Sequence, residues 1–187
     1  MPVRSRSPVS RLQLFETRQI LMESVEEFLA YAIRLEQEAA LRFGQLADAM
    51  ATAGNREVME LFRRLSEYSR LHLNDARARA GFRELPALES GEFVWPDIES
   101  PETAASWAAD PMIGREQALQ VALEAEKAGL AYYQRILDTT RDPEIRTLAQ
   151  EFVDEETMHV RELQRWSASV ATRKRGIPGG CVGADKE

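Results

Sequence analysis

The chain has 187 residues, of which 44% are hydrophobic and 29% charged, and these values suit one globular domain with a continuous buried core. Its formal net charge of −7 argues against nucleic acid or an anionic membrane as a partner, because both attract basic surfaces. The single cysteine, Cys181, excludes an intrachain disulfide and a cysteine-ligated zinc or iron–sulfur centre within these residues.

The two ends of the chain are predicted to be tails, with the folded domain at residues 19–170. Residues 1–18 contain scattered Arg, Ser and Pro, and residues 171–187 contain a Gly-rich run with little to bury. No uninterrupted apolar stretch of signal-peptide or membrane-span length follows the first residues. We therefore expect a soluble, cytoplasmic protein.

Four long segments have helical periodicity and lie, in chain order, at residues 19–53, 56–81, 112–139 and 143–170. Each is longer than the usual helix of a globular protein. Asn55 and Asp142 are candidate N-caps for the second and fourth segments, and Pro143 suits a first helical position. The first and second segments, and the third and fourth, are therefore predicted to form two tight helical hairpins.

A long connection joins the two hairpins. It extends from Gly81 to about Asp110 and is rich in proline, with a short helix predicted to begin at Ser100-Pro101-Glu102. Helical hairpins joined by one long crossover have ferritin-like topology. The predicted fold class is therefore all-α, a ferritin-like four-helix bundle with one long crossover between helices 2 and 3.

The two hairpins repeat each other in sequence. A shift of 90 positions places Glu36 on Glu126 within matching apolar stripes, and a shift of 87 positions places His72 on His159. Both histidines of the chain therefore fall on equivalent positions. An internal repeat of this kind predicts an approximate two-fold relation between the halves.

Several carboxylates and histidines are predicted to point into the bundle. Glu36 and Glu126 each stand in the middle of an apolar stripe with the spacing of a core-facing helix surface. Glu156 and His159 are three residues apart and share the apolar face of the fourth segment. Because buried carboxylates need compensation, a bound cation is the expected partner, and a metal-free polar network is the alternative.

This pattern is close to that of a dinuclear metal site. In ferritin-like proteins, a Glu from each of two helices and a Glu-x-x-His from each of the other two bind two iron or manganese ions. His72 takes the place of the second histidine, but Ser69 stands where the second Glu-x-x-His would have its carboxylate. Asp75, one turn after His72, is a candidate replacement.

The segments that carry these residues resemble the helices of rubrerythrins. The resemblance covers about residues 19–170 and is strongest at 35–43 (LEQEAALRF), 126–133 (EKAGLAYY) and 156–159 (ETMH). It implies a non-haem di-iron protein that reduces hydrogen peroxide or reacts with oxygen, often as a dimer. It also implies terminal carboxylates, a bridging carboxylate and nitrogen ligands, respectively Glu36 and Glu126, Glu156, and His72 and His159.

Three departures from the rubrerythrin pattern bear on the expected chemistry. We expect two iron ions, or one iron ion if Ser69, which removes one bridging carboxylate, leaves the site incomplete. Manganese also suits these ligands. Gly129 stands where rubrerythrins place an additional carboxylate. The Cys-x-x-Cys pairs of a rubredoxin domain are missing from these residues, which implies an external electron donor.

The leading functional hypothesis is a rubrerythrin-like oxidoreductase that acts on peroxide or oxygen. A second is an iron-binding or ferroxidase-type storage protein with ferrous iron as substrate, and a third is a metal-free helical scaffold with a degenerate site. Tyr133 lies two helical turns beyond Glu126 on the same face. Core filling is its expected role, and a radical or hydrogen-bonding role is the alternative. A homodimer is expected.

Overall fold

A computed structural model describes residues 22, 24–88, 93, 95 and 99–175, with side chains up to residue 170. Its elements are α1 (Val25–Thr52), α2 (Arg56–Ala80), a short 3-10 helix (Ser106–Ala109), α3 (Arg115–Thr139) and α4 (Pro143–Arg175). Over these residues the chain forms four long helices and no strand, which confirms the predicted all-α class. None of the described helices combines the length and apolarity needed to cross a membrane.

The helices pair as two hairpins. α1 packs along α2, and α3 packs along α4. Asn55 caps α2 by accepting a hydrogen bond from the amide of Val58, and the left-handed conformation of Gly54, with φ of 75°, allows the tight turn before it. Asp142 caps α4, since its Oδ1 accepts from the amide of Glu144 at 2.8 Å. Both turns are therefore closed by the residues expected to close them.

Two helix ends differ from the predictions. α1 begins at Val25 rather than at residue 19, because the Ser24 hydroxyl accepts a hydrogen bond from the amide of Glu27 and caps the helix there. α4 continues to Arg175, beyond the predicted end at residue 170. Residues 171–175, predicted as part of the C-terminal tail, therefore belong to this helix, whereas residues 1–18 and 176–187 lie outside the described residues.

The crossover does not form the predicted helix at Ser100. Residues 100–103 make a turn in which the amide of Thr103 donates to the carbonyl of Ser100 at 3.0 Å, and the 3-10 helix begins only at Ser106. Ala104 and Ala108, 1% and 0% exposed, anchor this segment in the core. Ser100-Pro101-Glu102 has the local signature of a helix start, but tertiary packing overrides it, because the turn lets Ala104 and Ala108 reach the core.

The buried core has two apolar clusters that meet along α1. One contains Phe28 and Leu35 from the first half of α1, and the other contains Phe43 and Leu46 from its second half. Glu36 lies at the junction between them. Apolar packing on both sides therefore shields the polar residues near Glu36 from water.

Candidate metal centre

Glu36 points into the bundle, as the apolar stripe of α1 predicts. It is 1% exposed, and its helical neighbours Ala32 and Ala39 are also buried. Neither carboxylate oxygen of Glu36 has a hydrogen-bond partner within the described part of the chain. A buried carboxylate without donors is costly, so Glu36 needs a proton or a cation.

The hairpin of α3 and α4 brings Glu126, Glu156 and His159 together. His159 Nδ1 lies 3.1 Å from Glu126 Oε2 and 3.4 Å from Glu156 Oε2. One ligand atom from each of the three residues lies within 4.8 Å of the others. The two carboxylates and the imidazole could therefore hold one metal ion.

Glu156 belongs to a second group, formed with Glu36 and Glu102. One carboxylate oxygen from each of these three residues lies within 4.8 Å of the others, and all three residues are buried. Glu156 is thus common to both groups of potential ligands. A carboxylate in this position can bridge two cations, which is the role that the rubrerythrin resemblance implies for it.

The second histidine lies beside the first. The rings of His72 and His159 stack with their centroids 4.4 Å apart, and His72 Nδ1 lies 3.9 Å from Glu36 Oε2. The structure therefore brings all five sequence-predicted ligands into one cluster that joins the two hairpins. Their role as metal ligands remains a prediction.

Ser69 lies at the edge of the same cluster but is already hydrogen-bonded. It is 6% exposed, and its hydroxyl donates to the carbonyl of Leu65 at 3.2 Å. Asp75, the candidate replacement for the missing carboxylate, is exposed and belongs to neither ligand group. Glu102 is instead the additional carboxylate that the structure places in the centre.

Sequence reasoning missed Glu102 because the crossover has no periodicity from which an inward position could be read. The sequence predicts it only as the first acid of a short helix that begins at Ser100. Its carboxylate fills the space beside Gly129 on α3: a Cβ at residue 129 would lie 2.0 Å from Glu102 Oε1. A glycine one turn after Glu126, on the inward face of α3, was the available signal that something else occupies this space.

Burial dominates the electrostatics of the carboxylates. Burial, then the charges of Glu156 and Glu126, raises the pKa of Glu36 well above its ordinary value. Burial, then the charges of Glu156 and Glu36, raises the pKa of Glu102 in the same way. Burial raises the pKa of Glu156 to about 8, with the hydrogen bond to His159 opposing this effect and the charge of Glu126 adding to it. The metal-free cluster therefore retains protons near neutral pH.

The pKa values of the two histidines shift in opposite directions. Burial, then the charge of His159, lowers the pKa of His72. For His159, burial acts to lower the pKa, but hydrogen bonds with Glu126 and Glu156 raise it to about 10. Because their rings are stacked, a proton on His159 disfavours one on His72.

A small cavity adjoins the cluster. It has a volume of about 20 Å³ and is lined by Glu36, Ser69, Glu102 and both histidines, among others. Half-buried Glu162 and Trp166 of α4 also line it, together with Tyr68 of α2. The volume suffices for one water-sized molecule beside the carboxylates.

Tyr133 is fully buried near the carboxylates. Its ring stacks on Phe152 with centroids 4.7 Å apart, and its hydroxyl has no hydrogen-bond partner among the described residues. Burial, then the charges of Glu36 and Glu102, raises its pKa well above the ordinary value. The packing of the ring supports a core role.

The side chains present suit two divalent cations. Four carboxylates and two imidazoles form the donor set, which matches the composition of dinuclear ferritin-like sites and suits iron or manganese. Unpartnered oxygens of Glu36 and Glu102 face this cluster in the described structure. Cations would neutralise these oxygens. The donor chemistry and the burial thus both fit a metal centre.

The bundle and its carboxylate–histidine cluster define a ferritin-like protein with a candidate dinuclear metal centre. The model of the Rubrerythrin family matches residues 27–167, so the chain belongs to this family of di-iron carboxylate proteins. The chain is also similar to a solved structure, that of an uncharacterized conserved protein from Magnetospirillum magnetotacticum MS-1. The two are 31% identical with a TM-score of 0.61, over 86% of this chain and 99% of that one. No curated protein matches the chain.

Proposed function

We propose that the chain binds two iron ions and reduces peroxide or reacts with oxygen at this centre. The observation that carries the proposal is the position of Glu156, which is common to two ligand groups and so can bridge two ions. Iron bound there would supply the redox chemistry.

The protein's own contribution would be to hold the ions and to exclude bulk water. The carboxylates of Glu36, Glu126 and Glu156 would neutralise positive charge, and His72 and His159 would provide nitrogen ligands. Protons held by the metal-free cluster would be released on binding, because a metal ligand must be deprotonated. The small cavity would admit a molecule of about the size of water, and peroxide or oxygen would have to displace that molecule or widen the cavity.

A storage role is the second candidate. The chain has one cysteine, Cys181, so a rubredoxin-type iron centre is not built from these residues. Reducing equivalents would then come from a donor outside these 187 residues. Without such a donor, each pair of ferrous ions would be oxidised once, which is the behaviour of a ferroxidase.

Anaerobic loading with ferrous iron tests the function directly. We expect about two irons per chain after desalting, and oxidation of the bound iron when peroxide or oxygen is added. Peroxide consumption in excess of bound iron, with an artificial reductant present, supports the oxidoreductase. Consumption that stops after one oxidation of the bound iron supports the ferroxidase. Failure to retain any metal supports the scaffold hypothesis and contradicts the proposal.

We also propose a homodimer. Leu41, Leu71 and Met158 are between 57% and 60% exposed, and a contact between copies that covered them would remove apolar surface from water. Sedimentation analysis of the metal-loaded and metal-free protein tests this proposal, and a monomer in both states contradicts it.

A further inference from the structure

Glu102 is a buried carboxylate on an irregular segment. It is 4% exposed although it lies in the crossover turn between α2 and the 3-10 helix. Carboxylates are almost never fully buried unless they are paired. Within the described structure, Oε1 of Glu102 has no hydrogen-bond partner. A proton or a cation must therefore compensate it.

The neighbours of Glu102 indicate what that partner is. Two other buried carboxylates, Glu36 and Glu156, lie beside it, with one oxygen from each of the three residues within 4.8 Å of the others. Three carboxylates so close together repel one another unless they are protonated or share a cation. An organic cation would not fit a cavity of about 20 Å³, whereas a metal ion would.

Gly129 is the counterpart of this arrangement on α3. A Cβ at residue 129 would lie 2.0 Å from Oε1, 2.7 Å from Cγ and 2.8 Å from Cδ of Glu102. A glycine inside a helix costs about 1 kcal/mol relative to alanine. The Glu102 side chain lies in the space that a side chain at residue 129 would occupy. The glycine is therefore required for this position of Glu102.

We infer that Glu102 is a metal ligand supplied by the crossover, that it provides the fourth carboxylate of the centre from the space beside Gly129, and that Gly129 makes room for it. This inference rests on the proposed metal binding but not on the reaction. It also predicts that metal ties the crossover to the bundle, because the ligand lies between the buried anchors Ser100 and Ala104.

The test uses the full chain and ferrous iron under anaerobic conditions. Iron per chain and its affinity are measured for wild type, Glu102→Ala and Gly129→Ala. We expect each variant to lose about one iron, or at least tenfold in affinity for it. Hydrogen exchange of residues 99–113 should slow on iron loading in the wild type and stay unchanged in Glu102→Ala.

Two matched variants control for the substitutions themselves. Glu99→Ala removes an exposed carboxylate from the same crossover, and Gly44→Ala adds a methyl group inside α1, where it would meet Ser66 Oγ at 3.3 Å. Both should bind iron like the wild type. The double variant Glu102→Ala, Gly129→Ala should bind no worse than Glu102→Ala, because the methyl group then displaces nothing, and should melt above Gly129→Ala.

A relocation variant keeps the test decisive even if Gly129→Ala folds poorly. Combining Glu102→Ala with Gly129→Glu directs a carboxylate from α3 into the vacated space, and we expect iron content to recover. Unchanged iron binding in Glu102→Ala, with two irons in the wild type, overturns the inference but leaves the proposed function standing. A wild type that binds no iron overturns both.

Discussion

The imidazole rings of His72 and His159 stack with centroids 4.4 Å apart and planes 15° from parallel. They come from α2 and α4, the second helix of each hairpin, and they occupy equivalent positions in the sequence repeat. The repeat therefore has a physical meaning: it delivers the same side chain from both hairpins to one place. Metal loading should act on this junction, because the carboxylate of Glu36 beside His72 has no hydrogen-bond partner within the described residues.

Metal should stabilise the fold. We expect the metal-free protein to remain helical and to melt below the loaded protein, because a ligand that binds only the folded state stabilises it by mass action. At free metal about 100-fold above Kd the gain is roughly 2.7 kcal/mol, or about 5 to 10 °C for a chain of this size. Circular dichroism melts with and without manganese or anaerobic ferrous iron measure this difference. Coincident melts would contradict an ordered metal site.

Substitutions of Glu156 and Glu155 should have very different effects on metal binding, although the two residues are adjacent. Glu156 is 1% exposed and common to both ligand groups, whereas Glu155 forms an ion pair with Arg79 at 2.6 Å. We expect Glu156→Ala to lose most bound metal. Glu155→Ala should keep wild-type stoichiometry and lose at most about 1 kcal/mol of stability, as for a partly exposed ion pair. Metal analysis of both variants decides, and equal losses would contradict the assigned helix face.

Much of this centre follows from local periodicity. A stripe along one helix identifies the inward face, so the positions of Glu36, Glu126 and Glu156 could be predicted without knowing how the helices pack. Glu102 could not, since its burial depends on the crossover docking onto α3. The predicted start of α1 at residue 19 is wrong for a similar reason. Apolar periodicity continues on the N-terminal side of Ser24, but the Ser24 cap fixes the first residue of the helix at Val25.

Stability of the metal-free protein should fall as pH rises from 7 to 8.5. The folded-state pKa is about 8 for Glu156 and about 10 for His159, both above the ordinary values. A group whose pKa is raised by folding stabilises the fold below its unfolded pKa and loses that effect as pH rises through the folded one. The lowered pKa of His72 acts in the opposite direction, but mainly below pH 6.5.

The pH dependence has a direct control. Glu36→Gln replaces a carboxyl group whose pKa is strongly raised by a neutral amide of similar shape. Melting temperatures of the metal-free variant should therefore fall less steeply with pH than those of the wild type. In the wild type, the stabilisation by metal should increase as pH rises, because metal displaces protons and binds more tightly at higher pH. A wild-type stability that rises between pH 7 and 8.5 would contradict the assigned protonation.

Removing the Tyr133 hydroxyl should not harm the fold. The hydroxyl is buried and lacks a partner within the described chain, while the ring keeps its contact with Phe152. Because an unsatisfied buried donor is costly, Tyr133→Phe should raise the stability of the metal-free protein by about 1 kcal/mol, or roughly 2 to 4 °C. A lower melting temperature would indicate that the hydroxyl has a partner, such as a bound water.

Substitutions at Ser69 test whether its hydroxyl is a metal ligand. Its hydroxyl already donates to the carbonyl of Leu65, so it should not hold metal, and Ser69→Ala should keep wild-type iron content. Ser69→Glu should behave differently. It would add a carboxylate beside Glu36, Glu102 and Glu156 and must fit a cavity of about 20 Å³.

We therefore expect Ser69→Glu to lower the melting temperature of the metal-free protein by overpacking and charge repulsion, at a cost of about 1 to 3 kcal/mol. It should not raise the iron content above that of the wild type, since Glu102 already completes the set of carboxylates. In a Glu102→Ala background the same substitution should instead restore iron binding, because both space and a missing charge are then available. Iron per chain and melting temperature for the two single variants and the double variant decide the matter. A gain of iron in Ser69→Glu alone would mean that the wild-type centre lacks a carboxylate and that Glu102 does not supply it.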